Sequence, residues 1–307
     1  MNETAPGLLW APSRFPGPGG YHRGPMQPTG SPQRPFISFL TDFGPDSAAA
    51  ICRGVMLSIA RDAQIVDISH SVRKYAIRDG AFLLAGSLPW MPIGVHVGVV
   101  DPGVGTARRP IGLLTERGDV LIGPDNGLLI PAGEKLGGIR EARVLENRAW
   151  MLQQTSSTFH GRDIFSPMAA NLAIGGDFAD VGSVIELDSL VAIRFPEPEV
   201  GDGVLESAIV YVDSFGNLRL AGEAADLVRA VGELTPGRSF RVEFGASNGS
   251  GPIVETAAWA RTFGEIPVGR PLLYEDSSGR LGFADNQADA ARRLGVAADR
   301  PVTIRPA

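Results

Sequence analysis

The sequence predicts an α/β protein in two parts: an amino-terminal domain on a mainly parallel sheet, then a smaller carboxyl-terminal β-barrel-like domain. Two observations predict it. From Phe36 to Asp101, apolar runs alternate in the order strand, helix, strand, helix, strand, the pattern of parallel strands joined by crossover helices. After about residue 204 the runs shorten and glycine-rich turns separate them, as in small barrels and sandwiches. A chain of 307 residues is long enough for two such domains. The formal net charge of −6 argues against a nucleic-acid or anionic-membrane partner. One cysteine, Cys52, allows no intramolecular disulfide. The four histidines form no Cys/His cluster, which argues against structural zinc. With no apolar run of transmembrane length and no apolar signal core, the expectation is a cytoplasmic protein.

The elements follow in order. Residues 1 to about 35 are rich in proline and glycine without a period of 2 or 3.6 and read as a disordered extension, giving Trp10 and His22 no role. Phe36 to Leu40 is a short strand running into Thr41-Asp42-Phe43-Gly44. Pro45, Asp46 and Ser47 then open a helix whose buried face is read as Ile51, Val55 and Ile59. Cys52, in the same helix, reads as core. A second strand, Ile65 to Ile68, enters D-I-S-H (67–70), and a helix from Arg78 to Leu88 stops at Pro89. Val95, Val97, Val99 and Val100 give the next segment the β-branched content of a buried strand. Asp101 precedes a proline, so it is extended and ends that strand. Strands at 110–115 and 119–122 read as a hairpin leading to G-P-D-N-G (123–127). S-S-T-F-H-G-R-D-I-F (156–165) precedes an apolar helix with Met168, Leu172 and Ile174, ended by Gly175 and Gly176. The first domain is thus read as 36–190 and a linker as 191–204. The second, 205–307, holds short strands at 208–212, 218–220, 238–244, 271–275, 281–284 and 302–305, with a helix at 287–295.

Three carboxylates, Asp42, Asp101 and Asp213, end predicted strands, each followed closely by glycine. One such turn is unremarkable; three suggest a polar rim around a ligand, because ligands of open α/β sheets bind at the carboxyl ends of strands. Arg108 stands seven residues beyond Asp101, across a tight glycine turn. Several chemistries are disfavoured. G-V-G-T lacks the third glycine of a dinucleotide fingerprint, and the chain has no phosphate-binding Walker loop. It has no G-x-S-x-G elbow for a hydrolase triad either.

Six segments together resemble one family. They are T-D-F-G (41–44), D-I-S-H (67–70), H-V-G-V-V-D-P-G-V-G-T-A-R-R (96–109), P-D-N-G (124–127), S-S-T-F-H-G-R-D-I-F (156–165) and V-D-S-F-G-N (212–217). Each alone is weak; six in one order are specific. The chain from Phe36 onward resembles the S-adenosylmethionine hydrolases (SAM hydroxide adenosyltransferases), relatives of the fluorinating and chlorinating adenosyl transferases. The resemblance implies cleavage of S-adenosyl-L-methionine by water to adenosine and methionine, without a cofactor. It also implies a homotrimer, with the ligand between the amino-terminal domain of one subunit and the carboxyl-terminal domain of the next. The catalytic trio it implies is Asp101, Arg108 and His160. Ribose-gripping carboxylates fall on Asp42 and Asp213, with Asn217 and Phe215 in the same turn as the latter. Tyr75 falls on the aromatic of the sugar pocket. Ser277, Ser278 and Asn286 fall where the family holds the amino-acid part and adenine.

The chemistry is coherent with those residue types. A sulfonium leaves as a neutral thioether, so the difficulty lies in making water nucleophilic. Arg108 stabilises hydroxide and keeps its own proton, while His160 or Asp101 accepts the water's proton. A halide carries no proton, and a neighbouring carboxylate repels it, so hydrolysis is favoured over halide-dependent adenosyl transfer. A non-catalytic S-adenosylmethionine or adenosine binding protein is the third reading. Arg162 and Asp163 read as a structural helix-start pair, Asp67 and His70 as structural, and Asp125 and Asn126 as evenly balanced.

Overall fold

The computed structural model describes residues 34–246 and 251–307, so the amino-terminal extension, with Trp10 and His22, lies outside the described residues. The chain divides into two compact units, one running up to Pro196 and the other from Glu197 to Ala307.

In the first unit, seven strands of the described residues form one sheet. They are β1 (Phe36–Thr41), β2 (Gln64–Ser69), β3 (Val95–Val99), β4 (Pro110–Thr115), β5 (Val120–Pro124), β6 (Ile139–Val144) and β7 (Val184–Ile185). Their order across the sheet is β2-β1-β3-β5-β4-β6-β7. The pairs β1–β2, β1–β3 and β3–β5 are parallel, whereas β4–β5, β4–β6 and β6–β7 are antiparallel. The sheet is therefore mixed, with a parallel half and an antiparallel half. The difference from the predicted mainly parallel sheet lies in the hairpin: β5 inserts beside β3, and β4 turns back outside it.

Helices α1 (Ala48–Ile59) and α4 (Ser166–Ala173) cover one face; α2 (Ile77–Ser87) and α3 (Ile130–Lys135) cover the other. Side chains alternate across a strand, so Ile37 and Phe39 pack under α1 and α4 while Leu40 packs under α2 and α3. The expected buried face of α1 is corrected by about one residue. Ala49, Cys52 and Met56 form it, and Ile51 is 42% exposed. These small and flexible side chains share one core with Phe39 and Phe165.

Beneath the parallel strands, away from their carboxyl ends, is a buried polar network. His96 bonds Ser38 Oγ (2.7 Å) and Asp119 Oδ1 (2.9 Å), and Arg117 donates to both oxygens of Asp119 (2.7 and 2.9 Å). Burial alone would raise the Asp119 pKa; the bonds from His96 and Arg117 outweigh it and hold the carboxyl well below its usual range.

In the second unit, β8 (Glu199–Gly201) pairs with β9 (Val204–Val212). The strands β10 (Leu218–Glu223), β11 (Ser239–Phe244), β12 (Ile253–Trp259), β13 (Pro271–Glu275), β14 (Arg280–Asp285) and β15 (Pro301–Pro306) follow. The order β10-β14-β13-β12-β11-β15-β9 closes through a β9–β10 pairing into a seven-stranded barrel, with β8 appended to β9. Phe240, Phe244, Leu273, Phe283 and Ile304 fill it. Helices α5 (Ala224–Val231) and α6 (Ala290–Leu294) interrupt the strands, and Leu227 and Leu294 insert into the same core. The sequence reading assigns no element to α3, α5 or β12.

Candidate active site

The site begins with strand register. Thr41 lies opposite Val99 in the parallel β1–β3 pair, so the residues that follow, Asp42 and Asp101, emerge at the same edge of the sheet. Asn126 fixes that edge by donating to the Val100 carbonyl (2.8 Å). The turn after Asp101 is closed by the Thr106 hydroxyl donating to the Gly103 carbonyl (2.7 Å). That turn carries Arg108 back over Asp101.

Arg108 Nε donates to both Asp101 oxygens (3.0 Å each), and Nη2 donates to Oδ2 and to His160 Nδ1 (2.9 Å). The side chains are nearly buried, 5% exposed for Asp101 and 9% for Arg108, and the guanidinium lies over the Phe165 ring at 5.2 Å. Nη1 of Arg108 is buried with no hydrogen-bond partner among the described residues. The three catalytic residues expected from the sequence are thus brought together.

An arginine only donates, so His160 Nδ1 must accept, and the neutral ring carries its proton on Nε2. Burial lowers the His160 pKa from its ordinary value of 6.5. The Arg108 charge lowers it further, against the pull of Asp101 and Asp163. The tautomer follows from geometry and the neutral state from its surroundings.

The loop that delivers His160 depends on close packing. A Cβ on Gly161 would meet Phe43 at 3.0 Å, and one on Gly105 would lie 2.3 Å from the Ser157 carbonyl oxygen. Gly161–Phe165 forms a π-helical turn, a local irregularity frequent at functional sites. Asp163, fully buried, accepts from the Ser156 amide (2.7 Å) and from Arg162 Nε (2.6 Å). That is the structural role expected of this pair. His160 also lines an open cavity of about 510 Å³ whose walls include Thr106, Thr155, Ser156 and Ser157.

The other expected positions divide into groups. Asp42 Oδ2 accepts from the Tyr75 amide (2.9 Å), which holds Tyr75 at φ 67°. A left-handed tyrosine is strained, and such residues cluster at functional sites. The residue is 70% exposed. The loop before it is anchored by Arg73 on buried Asp79 (2.5 and 2.9 Å), a pair the sequence reading misses. Asp67 pairs with Arg53 (2.5 Å), and His70 Nδ1 bonds Thr41 Oγ1 (2.9 Å), both structural as expected. Asp125 pairs with Arg109 and accepts from the Val191 amide (2.9 Å), so it too serves the fold. Cys52 is buried core, its thiol pushed up to about 11 by burial.

In the barrel, Asp213 accepts from the Phe215 and Asn217 amides (2.9 Å each) and from Asn217 Nδ2 (3.0 Å). This turn presents Phe215, 76% exposed. Arg219 ties it to the β13–β14 turn, 3.0 Å from Asp276 and 3.5 Å from Asp213. Ser277 and Ser278 are exposed on that second turn. Asn286 lies past the other end of β14, buried, its amide nitrogen donating to the Ile266 carbonyl (2.6 Å). The serines and Asn286 thus stand at opposite ends of β14.

Fold and trio together define a two-unit α/β and barrel protein with a charged, nearly buried cluster beyond the strand ends. Comparison places it further. The chain matches the model of the SAM hydroxide adenosyltransferase N-terminal domain over residues 37–182 and that of the C-terminal domain over 207–303. It is 43% identical to the (R)-S-adenosyl-L-methionine hydrolase of Salinispora tropica over 265 residues, 85% of this chain and 94% of that one. It is 31% identical to the fluorinase of Actinoplanes sp. over 300 residues, covering 89% and 98% of the two chains. Its structure resembles that of an uncharacterised conserved protein from Thermotoga maritima, with a TM-score of 0.79, 32% identity, and coverage of 88% and 99%. The chain belongs to the SAM hydroxide adenosyltransferase family.

Proposed function

We propose that the protein hydrolyses S-adenosyl-L-methionine to adenosine and L-methionine by in-line attack of water on the 5′ carbon. The observation that carries this reading is the convergence of Asp101 and His160 on Nε and Nη2 of Arg108, whose buried Nη1 has no hydrogen-bond partner among the described residues. That donor, with the Nε2–H of His160, is suited to an oxygen gaining negative charge. His160 Nδ1 already accepts from Arg108, so the proton acceptor is Asp101. As the oxygen–carbon bond forms, the carbon–sulfur electron pair leaves on a neutral thioether, and no metal or general acid is required. Holding water and carbon at near-attack distance supplies about 7–11 kcal/mol of the acceleration.

On this reading Asp42 and Asp213 hold the ribose, and Tyr75, Phe215 and Asn217 line the nucleoside pocket. Ser277, Ser278 and Asn286 serve the amino-acid and adenine ends. Tyr75 and Phe215 belong to different units and are both largely exposed. Their exposure is in keeping with a homotrimer in which each ligand is shared by two subunits. Halide-dependent transfer is the lesser reading, because Asp101 beside the nucleophile repels a halide. In water enriched in ¹⁸O, the purified protein is expected to place the label on the 5′ oxygen of adenosine. Binding without adenosine release would leave a non-catalytic binding protein, and 5′-halo-adenosine formed with chloride would make it a halide transferase.

A further inference from the structure

In-line displacement puts nucleophile and leaving group on opposite sides of the carbon. On the reading above, the reacting water therefore lies between the substrate and the Asp101–Arg108–His160 trio, and bound substrate covers it. The reaction also releases a proton: sulfonium plus water gives adenosine, methionine and H⁺. That proton and the next water need a path that does not run through the substrate. The side chains of Asp101 and Arg108 are nearly buried. Of the trio, His160 alone lines the open cavity of about 510 Å³. That space is far larger than the roughly 30 Å³ share of one water. Hydroxyl-bearing Thr106, Thr155, Ser156 and Ser157 stand in its wall, and hydroxyls both donate to and accept from water. Glu146 and Arg148 stand in the same wall, and the Glu146 carboxylate already accepts from the Ser183 hydroxyl (2.8 Å).

We propose that this cavity is a solvent channel to the reactive trio: it resupplies water past the His160 ring and takes away the proton released in each turnover. Asp101, protonated by the attacking water, returns its proton to the incoming water, which passes it to the cavity, and the trio ends as it began. The proposal rests on the hydrolase reading but makes a separate demand, since a channel affects turnover and not the holding of substrate. Filling it tests this. Thr155→Leu and Ser157→Leu are suited to the purpose, because both lie in the wall and Ser157 is exposed on its loop. In variants with the wild-type melting temperature, kcat is expected to fall about fivefold or more while Kd for S-adenosylmethionine stays within about twofold. The solvent deuterium isotope effect on kcat should rise as proton exit becomes limiting. Unchanged kcat in both variants overturns the channel alone, as does a Kd that rises as much as kcat falls, which would make the cavity part of the substrate site. No adenosine from the wild-type protein overturns the hydrolase reading and the channel together.

Discussion

At the scale of single residues, the trio divides labour by hydrogen-bond capacity. Arg108 engages Asp101 and His160 through Nε and Nη2, and its Nη1 has no partner among the described residues. Asp101→Ala and His160→Ala should lower kcat by about 10²-fold or more, with a smaller loss of substrate affinity. Asp213→Ala should mainly weaken binding, read by calorimetry; unchanged affinity would remove Asp213 from the ribose site. The pH profile follows from the sign of the His160 shift. Its pKa lies below the ordinary 6.5, so the ring is neutral at pH 7 and Nδ1 stays free to accept from Arg108. Its half-protonation lies below that value, and the protonated ring sets two cations against each other. The acid limb of turnover should therefore have its midpoint below pH 6.5. An acid limb at or above 6.5 would contradict this assignment.

Among elements, the turn at 101–108 and the loop at 155–160 meet through glycine. Gly105 has φ 77°, and a Cβ there would lie 2.3 Å from the Ser157 carbonyl oxygen. Gly105→Ala should push the His160 loop away from Arg108 and cost about tenfold or more in kcat, because small misplacements at a reacting centre are expensive. Gly175→Ala shares a left-handed backbone, φ 99°, but its Cβ meets nothing within 4 Å. It should lower the melting temperature and leave kcat alone. Comparable losses of kcat in both would show that strain, not loop displacement, is responsible. Legibility in the sequence was uneven at this scale. The strands from Phe36 to Val99 and their turns stand in contiguous residues and were readable. Helix α5 carried a readable signal too: a reciprocal cap between Glu223 and Asp226, then buried Leu227 and Ala230. Helix α3 has only six residues, with Pro131 and Gly133 among them, and its neighbours rather than its propensities make it helical.

For the whole molecule, the proposed site residues fall in both units. The first carries the trio with Asp42 and Tyr75; the second carries Asp213, Phe215, Asn217, Ser277, Ser278 and Asn286. If subunits share each ligand in a trimer, light scattering should give three times the 32.4 kDa of one chain. Substitutions at Tyr75 or Phe215 should then weaken ligand binding without breaking the assembly. A single-chain mass in solution, with full activity, would end the shared-site proposal.

The sequence by itself determined the alternation of strands and helices, the change of texture near residue 204, and the identities at the strand ends. These are local facts, written in apolar periods and in turns of proline, glycine, asparagine and aspartate. Tertiary structure alone decided the insertion of β5 between β3 and β4, the inward face of α1, the tautomer of His160 and the cavity beside it. Each depends on groups remote in the chain, as Arg108 and His160 are, 52 residues apart. A bond between such partners leaves no periodic trace in either segment, so only the packing of the folded sheet could reveal it.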